Sequence, residues 1–317
     1  MKPKQLSFCM IICSRRRPEL ITQALTAIKN LVIPASVDFS VLVVENDTAP
    51  QYETIIAKFR DELTIHYEIE AVPGLTHVRN HGLSSAEKLG VDWIGSIDDD
   101  IIIPEDWLMH MVAAIGTYDD TQMFYGNWIR HNHPDEPKWH PKAKHWNASP
   151  TGHIIRIASF NNIAVKADVF SQDGMALRFD HQFRFTGGED TDFARTYTKQ
   201  GGIIRSVQEA LAEEYNSMER ADFSERLRRE TSVQYSCVKL RHKHNIAISA
   251  YFWSIQTVYR GLVLGVVNIV IGGLALPFNR LWGLTRYGAG RQFFAGVRGV
   301  LRYYFGSDPE LYRDEDG

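Results

Sequence analysis

The sequence contains little cysteine, little net charge and no cysteine pair spaced for zinc. Its 317 residues include three cysteines, Cys9, Cys13 and Cys237, which are too few for a disulfide framework. Cys9 and Cys13 lie in one apolar run and do not form a CxxC pair. The net charge of −3 excludes an overall positive electrostatic potential of the kind that binds nucleic acid. We therefore expect a reducing compartment and no nucleic-acid partner.

We also expect no secretion signal at the start of the given sequence. The first apolar run is only about six residues long and ends in three arginines, unlike a signal peptide. Hydrophobic residues make up 44% and charged residues 23% of the chain, which excludes a disordered protein and a polytopic transporter. The length predicts one large α/β domain, alone or with an appendage.

Acidic residues are absent from one long segment near the end of the chain. Residues 246–306 contain six arginines and no aspartate or glutamate, whereas residues 307–317 contain five acids and one arginine. Residues 1–245 are more balanced, with 28 basic and 33 acidic side chains. This change in composition predicts a domain at 1–245 and an extension at 246–317.

The first hundred residues alternate between apolar runs and amphipathic helical patterns. The runs at 8–13, 39–44, 64–69 and 93–97 are typical of buried strands, and helical spacing separates them. Further patterns predict strands at 123–129, 154–165 and 203–207, and helices at 190–199 and 221–243. The alternation predicts an α/β fold with a mostly parallel, doubly wound sheet flanked by helices.

Three polar clusters follow predicted strands. They occupy residues 14–17, 45–47 and 98–100, and each begins where an apolar run stops. In an open α/β sheet, ligands bind beyond the carboxyl ends of the strands. The three clusters are therefore predicted to meet at one edge of the sheet.

The triple aspartate Asp98, Asp99 and Asp100 is the strongest chemical signal. Three adjacent carboxylates repel one another unless a cation neutralises them. Mg²⁺ and Mn²⁺ accept one or two carboxylates together with substrate phosphates. The alternative is a solvated turn whose aspartates cap a helix.

Two further motifs carry candidate chemistry. In the stretch TGGEDTDF at 186–193, the glycines permit a tight turn or close approach to a ligand, and a carboxylate after them is a candidate general base. The alternative is a capped helix start, where acids are favoured by the helix dipole. Arg79, within 74–82, is either a ligand for a base or phosphate, or a surface arginine.

Together these motifs resemble those of family 2 glycosyltransferases, which have the GT-A fold. The matching stretches are CSRRRPEL at 13–20, VVEND at 43–47, VRNHG at 78–82, IDDD at 97–100 and GEDTD at 188–192. Each stretch is weak alone, but all five in order are specific. Within the family, the chain most resembles the bacterial succinoglycan-type glucosyltransferases, which share the GGEDTDF stretch and a hydrophobic C-terminal extension.

The resemblance implies roles for individual residues. Asp100 would bind Mg²⁺ or Mn²⁺ directly, and Asp98 would lie near the ribose or a metal-bound water. Asp190 would deprotonate the acceptor hydroxyl, with Glu189 supporting it. The implied nucleotide-sugar site consists of Ser14, Arg17, Glu45, Asp47, Arg79 and Asp99, with Arg228 and Arg229 reaching the diphosphate. The implied acceptor side consists of Asn161, Asn162, Gly187 and Gly188.

One position departs from the family pattern. Many members carry a histidine as an additional metal ligand after the ED pair, and Glu213 and Glu214 stand in that place here. Glu214 either ligates a hard cation, which accepts carboxylate, or is a surface acid.

The activity implied by the resemblance is inverting, metal-dependent transfer of a hexose from a nucleotide sugar, with UDP as the expected nucleotide. The acceptor would be a lipid-linked oligosaccharide or polysaccharide in surface polysaccharide biosynthesis. One alternative is a sugar-phosphate nucleotidyltransferase, but its Gly-rich loop is absent after the first strand. Another is a non-catalytic membrane-associated module, against which the intact Asp98, Asp100, Glu189 and Asp190 argue.

The extension predicts membrane association. Residues 261–276 form an apolar run that is shorter than the roughly 20 residues of a spanning helix. Residues 280–302 interleave arginines with aromatic side chains, a pattern suited to an anionic membrane surface. We expect a peripheral or monotopic protein on the inner face of the cytoplasmic membrane. The alternative is a helical cap buried on the catalytic domain.

The segment 131–150 is predicted to form a long loop over the acceptor side. Its histidine spacing matches no standard zinc site. Trp139 and Trp146 either stack on a sugar or pack the loop against the protein.

Overall fold

The computed structural model describes residues 5–140, 149–245, 247–309 and 311. The strands are β1 (Leu6–Ser14), β2 (Val37–Glu45), β3 (Ile65–Ile69), β4 (Trp93–Asp98), β5 (Ile101–Ile102), β6 (Met123–His131), β7 (Ile154–Ile155), β8 (Asn162–Lys166) and β9 (Ile204–Tyr215). The α-helices are α1 (Pro18–Lys29), α2 (Glu53–Ala57), α3 (Leu75–Leu89), α4 (Trp107–Thr117), α5 (Glu189–Lys199), α6 (Met218–Ala221), α7 (Phe223–His244), α8 (Ala247–Ala275) and α9 (Arg280–Phe305).

The strands form one mixed sheet in the order β3-β2-β1-β4-β8-β6-β9-β5, and β7 pairs with β9. The first four strands along the chain pair in parallel, as the sequence predicted. Antiparallel pairing joins β4 to β8, β8 to β6, and β9 to both β5 and β7. The sheet therefore combines the predicted parallel half with an antiparallel half that the local pattern did not indicate.

Strand β1 is buried on both faces of the sheet. Its alternating side chains divide between two cores: Phe8, Met10 and Ile12 join one cluster, and Cys9 and Ile11 join the other. Helices α1 and α4 contribute to the first cluster, and α3 and α5 to the second. This double covering explains why the strand is a continuous apolar run.

The predicted strand at 154–165 is wrong in its extent. The structure contains two short strands there, and the residues between β7 and β8 are not in a strand. The two pieces have different neighbours, because β7 pairs with β9 whereas β8 lies between β4 and β6. Helix α4 was not predicted, and β9 is longer than the five residues expected.

The predicted helix at 221–243 is confirmed as α7, which begins at Phe223, two residues later than expected, because Asp222 is its N-cap. The Asp222 carboxylate accepts hydrogen bonds from the backbone N–H groups of Ser224 at 2.7 Å and Glu225 at 3.1 Å. This N-cap satisfies donors that the first turn of α7 leaves without partners.

Helices α8 and α9 form a close antiparallel pair. A Cβ added to Gly272 would lie 2.6 Å from the backbone nitrogen of Tyr287, and one added to Gly290 would lie 2.8 Å from the carbonyl oxygen of Gly265. The apolar run at 261–276 lies, except for its last residue, in the 29-residue helix α8. By length and composition, α8 is able to cross a membrane.

The chain divides into two compact units. The first consists of the described residues of Met1–Ile129, His145–His181 and Glu189–Glu214, and the second of those of Arg130–Lys144, Gln182–Gly188 and Tyr215–Gly317. The predicted boundary at residue 245 falls within the second unit, between α7 and α8. The division into a catalytic domain and a membrane-associating extension stays a prediction.

Candidate active site

The parallel register brings the three polar clusters of the sequence to one edge of the sheet. Ser14, the last residue of β1, is paired with Glu45, the last residue of β2. On the other side of β1, Cys13 is paired with Asp98, the last residue of β4. The predicted placement of these clusters is therefore confirmed, while the roles assigned to their residues stay predictions.

Asp99 is held by residues from the end of β1. Its carboxylate accepts hydrogen bonds from Ser14 Oγ at 2.7 Å and from Arg17 Nη1 at 3.1 Å. Burial raises the pKa of Asp99, and the positive charge of Arg17 opposes that rise. The structure thus joins three of the residues predicted for the nucleotide-sugar site.

Tyr52 completes this group and was missed by the sequence reasoning. Its hydroxyl accepts a hydrogen bond from the Arg17 backbone N–H at 2.8 Å and lies 3.0 Å from Ser14 Oγ. The available signal was the hydroxyl itself, because a buried tyrosine usually needs a hydrogen-bond partner.

The acids at the end of β2 are bound by neighbouring side chains. Glu45 is fully buried and accepts hydrogen bonds from the Gln51 backbone N–H at 2.9 Å and from the Tyr67 hydroxyl. Asp47 Oδ2 accepts a hydrogen bond from Arg16 Nε at 2.8 Å, which lowers the pKa of Asp47. Among the described residues, the buried Glu45 Oε1 has no hydrogen-bond partner.

Arg79 is the centre of a second group, in which one guanidinium binds three carboxylates. Its Nη1 donates to Glu189 Oε1 at 2.8 Å and also to Asp190 Oδ1. Its Nη2 donates to Asp98 Oδ1 at 3.1 Å. Arg79 is 6% exposed, so the hypothesis of a surface arginine is wrong, and the side chain is not open to solvent. The structure thereby joins Glu189 and Asp190, at the start of α5, to Asp98, the last residue of β4.

The single positive charge of Arg79 faces several carboxylates, so it is unfavourable for all of them to be ionised together. Burial raises the pKa of Glu189 to about 8, with Asp190 adding to the rise and Arg79 opposing it. Burial likewise raises the pKa of Asp98, together with the charges of Asp100 and Asp190. Asp190 Oδ2 accepts a hydrogen bond from Ser159 Oγ at 2.7 Å, so both of its oxygens are oriented.

The side chains at this edge include carboxylates, which are the type of ligand that a hard divalent cation binds. Asp100 follows Asp99 in the turn after β4, and the β5–β9 register pairs Glu214 with Ile101, the next residue. Carboxylate oxygen is the donor that Mg²⁺ and Mn²⁺ prefer. Within the described part of the chain, however, no three His, Cys, Asp or Glu side chains are already gathered as a ligand set. Glu214 is 3% exposed, which excludes the surface-acid alternative.

The two asparagines predicted for the acceptor side differ in their contacts. Asn162 is fully buried, donates to the carbonyl oxygens of Asn127 and Ala210, and accepts from Trp107 Nε1 at 2.7 Å. Its amide therefore ties β6, β9 and α4 together. Asn161 Oδ1 is buried and has no hydrogen-bond partner among the described residues. An acceptor-binding role stays a prediction for both, and the contacts favour Asn161.

Gly187 and Gly188 form a left-handed turn directly before Glu189 in the sequence, with φ of 73° and 92°. Within the second unit, Ser236 Oγ donates to the carbonyl oxygen of Gly187 at 2.8 Å. A Cβ on Gly188 would lie 3.0 Å from Ser236 Cβ. Glycine is required here by backbone conformation and by packing, and the predicted contact with an acceptor stays a prediction.

Arg228 and Arg229 are both bound to an acid of their own helix. Arg228 Nε and Arg229 Nε lie 2.6 Å and 2.8 Å from the two carboxylate oxygens of Glu225. Their predicted contact with the nucleotide diphosphate stays a prediction.

In the segment 131–150, Trp139 packs within the second unit. Its ring lies 5.0 Å from that of Phe223, and it contacts the position where Gly288 lacks a side chain. Packing, and not sugar stacking, therefore accounts for Trp139. Trp146 lies outside the described residues.

The fold is the GT-A fold. The Staphylococcus aureus protein TarS, in a crystal structure of residues 1–349 with UDP, matches with a TM-score of 0.53 at 16% identity, over 94% of this chain and 91% of that chain. The mannosyltransferase PcManGT of Pyrobaculum calidifontis, in complex with GDP-Man and Mn²⁺, matches with a TM-score of 0.59 at 12% identity, over 94% and 87%. At these identities the likeness shows the fold alone.

The family is shown by the sequence. The profile of glycosyl transferase family 2 matches residues 9–179, more than half of the chain, so this protein belongs to that family of glycosyltransferases. The succinoglycan biosynthesis protein ExoM of Rhizobium meliloti (strain 1021) is 26% identical over 207 residues. The match spans 64% of this chain and 65% of ExoM, which is less than two thirds of that protein's length.

Proposed function

We propose that this glycosyltransferase transfers a hexose from a nucleotide sugar, with UDP as the nucleotide, to a lipid-linked oligosaccharide or polysaccharide. The reaction inverts the anomeric centre, so an α-linked donor gives a β-linked product. The product belongs to surface polysaccharide biosynthesis on the inner face of the cytoplasmic membrane. The similarity to ExoM supports a role in polysaccharide biosynthesis. The similar structures of TarS with UDP and of PcManGT with GDP-Man support a nucleotide-sugar donor.

The observation that carries this proposal is the orientation of Asp190. Arg79 binds one of its oxygens and Ser159 the other, so the carboxylate is held at the start of α5. Only 17% of its side chain is exposed, which limits competition by water. A carboxylate fixed in this way is suited to accept the proton of an acceptor hydroxyl as it attacks the sugar.

Asp98, Asp100 and Glu214 are the residues proposed to hold Mg²⁺ or Mn²⁺. When bound, the cation would neutralise the charge that develops on the nucleotide diphosphate as it leaves. Ser14, Arg17 and Asp99 are already joined by hydrogen bonds and would orient the nucleotide. The complex of PcManGT with Mn²⁺ supports a divalent cation in this fold.

Membrane association is supported by α8 and α9. Only 22% of the most apolar window of α8 is buried, unlike the core helix of a soluble domain. Its outward residues include Phe252, Ile255 and Leu274, each about 70% exposed. Helix α9 adds five arginines and no acid. Such surfaces favour insertion into an anionic bilayer.

The proposal is tested by nucleotide release. The full chain is incubated with Mg²⁺ or Mn²⁺, a panel of nucleotide sugars and lipid-linked acceptors, and free nucleotide is measured. Asp190→Asn keeps the size of the side chain but removes the base, so turnover is expected to fall about 10³-fold. Nuclear magnetic resonance of the product should show the β-linkage from an α-linked donor.

Asp106→Asn is the matched control, because Asp106 is exposed and precedes α4. It should keep full turnover. If no donor reacts, or if Asp190→Asn reacts like the unmodified protein with every acceptor, the proposed reaction is wrong.

A further inference from the structure

A basic groove of about 760 Å³ lies within the second unit. We define the arginine groove by its four arginines, Arg228 from α7 and Arg291, Arg298 and Arg302 from α9. Among the described residues that line it, none is acidic. The proposed catalytic residues of the first unit do not use this groove, and a different ligand there would replace the predicted contact of Arg228 with the nucleotide diphosphate.

Most of the positive charge of the arginine groove is not neutralised by described residues. Arg228 is paired through Nε with Glu225, and Arg302 donates to the Ser307 carbonyl oxygen at 3.3 Å. Arg291 lies over the Phe223 ring. Arg298 is exposed and forms no hydrogen bond or ion pair with a described residue.

The nearest described acid of the C-terminal segment is directed elsewhere. Asp308 accepts a hydrogen bond from the Tyr235 hydroxyl and lies 3.7 Å from Lys239 Nζ. Like charges that line one cavity repel each other unless an anion lies between them. The arginine groove is therefore suited to a ligand with more than one negative charge, because guanidinium groups bind phosphate oxygens in pairs.

The walls of the arginine groove are apolar, which indicates a second property of the ligand. Ile269 of α8, Leu227 of α7 and Phe294 of α9 line it between the arginines. The same helix α8 presents the exposed apolar surface proposed to contact the bilayer. A phosphate that carries a hydrocarbon chain would meet both the guanidinium groups and these walls.

We infer that the arginine groove binds the diphosphate of a lipid with a hydrocarbon chain, the lipid that bears the glycan acceptor. This inference rests on the proposed function and names the site for its lipid partner. Four guanidinium groups favour a diphosphate over a phospholipid headgroup, which carries a single phosphodiester charge. The apolar walls favour a lipid over free pyrophosphate, which has no chain to contact them.

Vesicle binding tests the inference with the full chain. Three preparations of phosphatidylcholine vesicles are compared: neutral vesicles without additive, vesicles with polyprenyl diphosphate, and vesicles with phosphatidylglycerol at the same surface charge as the second. We expect the diphosphate vesicles to bind about tenfold more tightly than the phosphatidylglycerol vesicles. The double variant Arg291→Ala, Arg298→Ala should lose this preference.

The matched control is Arg260→Ala, Arg280→Ala, which removes the same charge at exposed positions outside the arginine groove. It should keep the preference. A single Arg298→Glu variant repeats the test at an exposed position, and equal melting temperatures verify that each variant folds. Equal binding to both anionic vesicles, or equal loss in the control, would overturn the inference. The inference would also be overturned if soluble pyrophosphate bound as tightly as the diphosphate lipid.

Nucleotide release separates this inference from the proposed function. If the preference for the diphosphate lipid is absent while release still depends on Asp190, the arginine groove alone is rejected. If the preference is present while release does not depend on Asp190, the proposed reaction alone is rejected.

Discussion

At the scale of single residues, Arg79 decides how the carboxylates of the site are arranged. Glu189 and Asp190 begin α5, and Asp98 ends β4, so no local pattern relates them. Their common contact is one buried guanidinium. A planar group with several donors in a fixed geometry can serve three acceptors, which an ammonium group does less well.

We therefore expect Arg79→Lys to lower turnover about 100-fold, because Asp190 would lose its fixed position. Arg79→Ala should also destabilise the fold by about 3–5 kcal/mol, since it leaves buried carboxylates without a partner. Nucleotide release and thermal unfolding measure the two effects. Arg60→Lys, at an exposed position, is the control and should change neither. Unchanged turnover in Arg79→Lys would contradict the positioning role.

The cysteines give a second prediction at this scale. Burial raises the pKa of Cys9 to about 11 and that of Cys13 to about 12, so neither forms thiolate at neutral pH. Cys13 and Cys237 are both partly buried, whereas Cys9 is buried. A maleimide reagent should label Cys237 in the folded protein and all three cysteines after unfolding, as read by mass spectrometry. Equally fast labelling of Cys13 and Cys237 in the folded protein would contradict the raised pKa of Cys13.

At the scale of elements, α8 and α9 approach each other through glycines. Gly272 faces the backbone of Tyr287 and Gly283, whereas the neighbouring Gly273 has nothing within 4 Å of an added Cβ. Close helix contact through small residues is a common form of packing in membranes, where burial of apolar surface adds little. The two adjacent glycines form a natural pair of test and control.

Gly272→Ala should lower the free energy of unfolding by about 1–3 kcal/mol, because the added methyl group overlaps backbone atoms. Gly273→Ala should leave it unchanged or raise it by up to about 1 kcal/mol through helix propensity. Thermal or denaturant unfolding in the same detergent measures both. Equal effects of the two substitutions would show that the helices are not in contact at this position.

Elements also show how far local pattern extends. The strands β1 to β4 and the helices between them were predicted, because continuous apolar runs and helical spacing are properties of short segments. The antiparallel partners of β4 and β9 were not, because strand pairing depends on where distant segments lie. Asn162 illustrates the same limit: its three hydrogen bonds join β6, β9 and α4, so its burial has no counterpart in nearby sequence.

At the scale of the whole molecule, the uneven distribution of charge follows the two proposed roles, catalysis in the first unit and membrane contact in the second. The grouped acids lie in the first unit around Arg79, and the stretch without acids forms α8 and α9 of the second. The apolar outer face of α8 is the property that distinguishes this stretch from a buried cap.

The membrane surface is tested by vesicle flotation. Val266→Glu combined with Leu274→Glu places charges on the exposed apolar face of α8 and should lower vesicle binding at least about tenfold. The control Val233→Glu changes a valine of α7 that is 52% exposed and should bind normally. If the α8 variant floats like the unmodified protein, this face does not contact the bilayer.

The sequence by itself determined the parallel half of the sheet, the edge at which the polar clusters meet, and the family, because these depend on short motifs in a set order. Only the tertiary structure decided that Arg79 binds the ED pair and Asp98, that Tyr52 supports Ser14 and Arg17, and that four arginines of α7 and α9 line one groove. The physical reason is the same in each case. Hydrogen bonds and charge pairing act over a few ångströms, and residues far apart in sequence come within that distance only after the chain has folded.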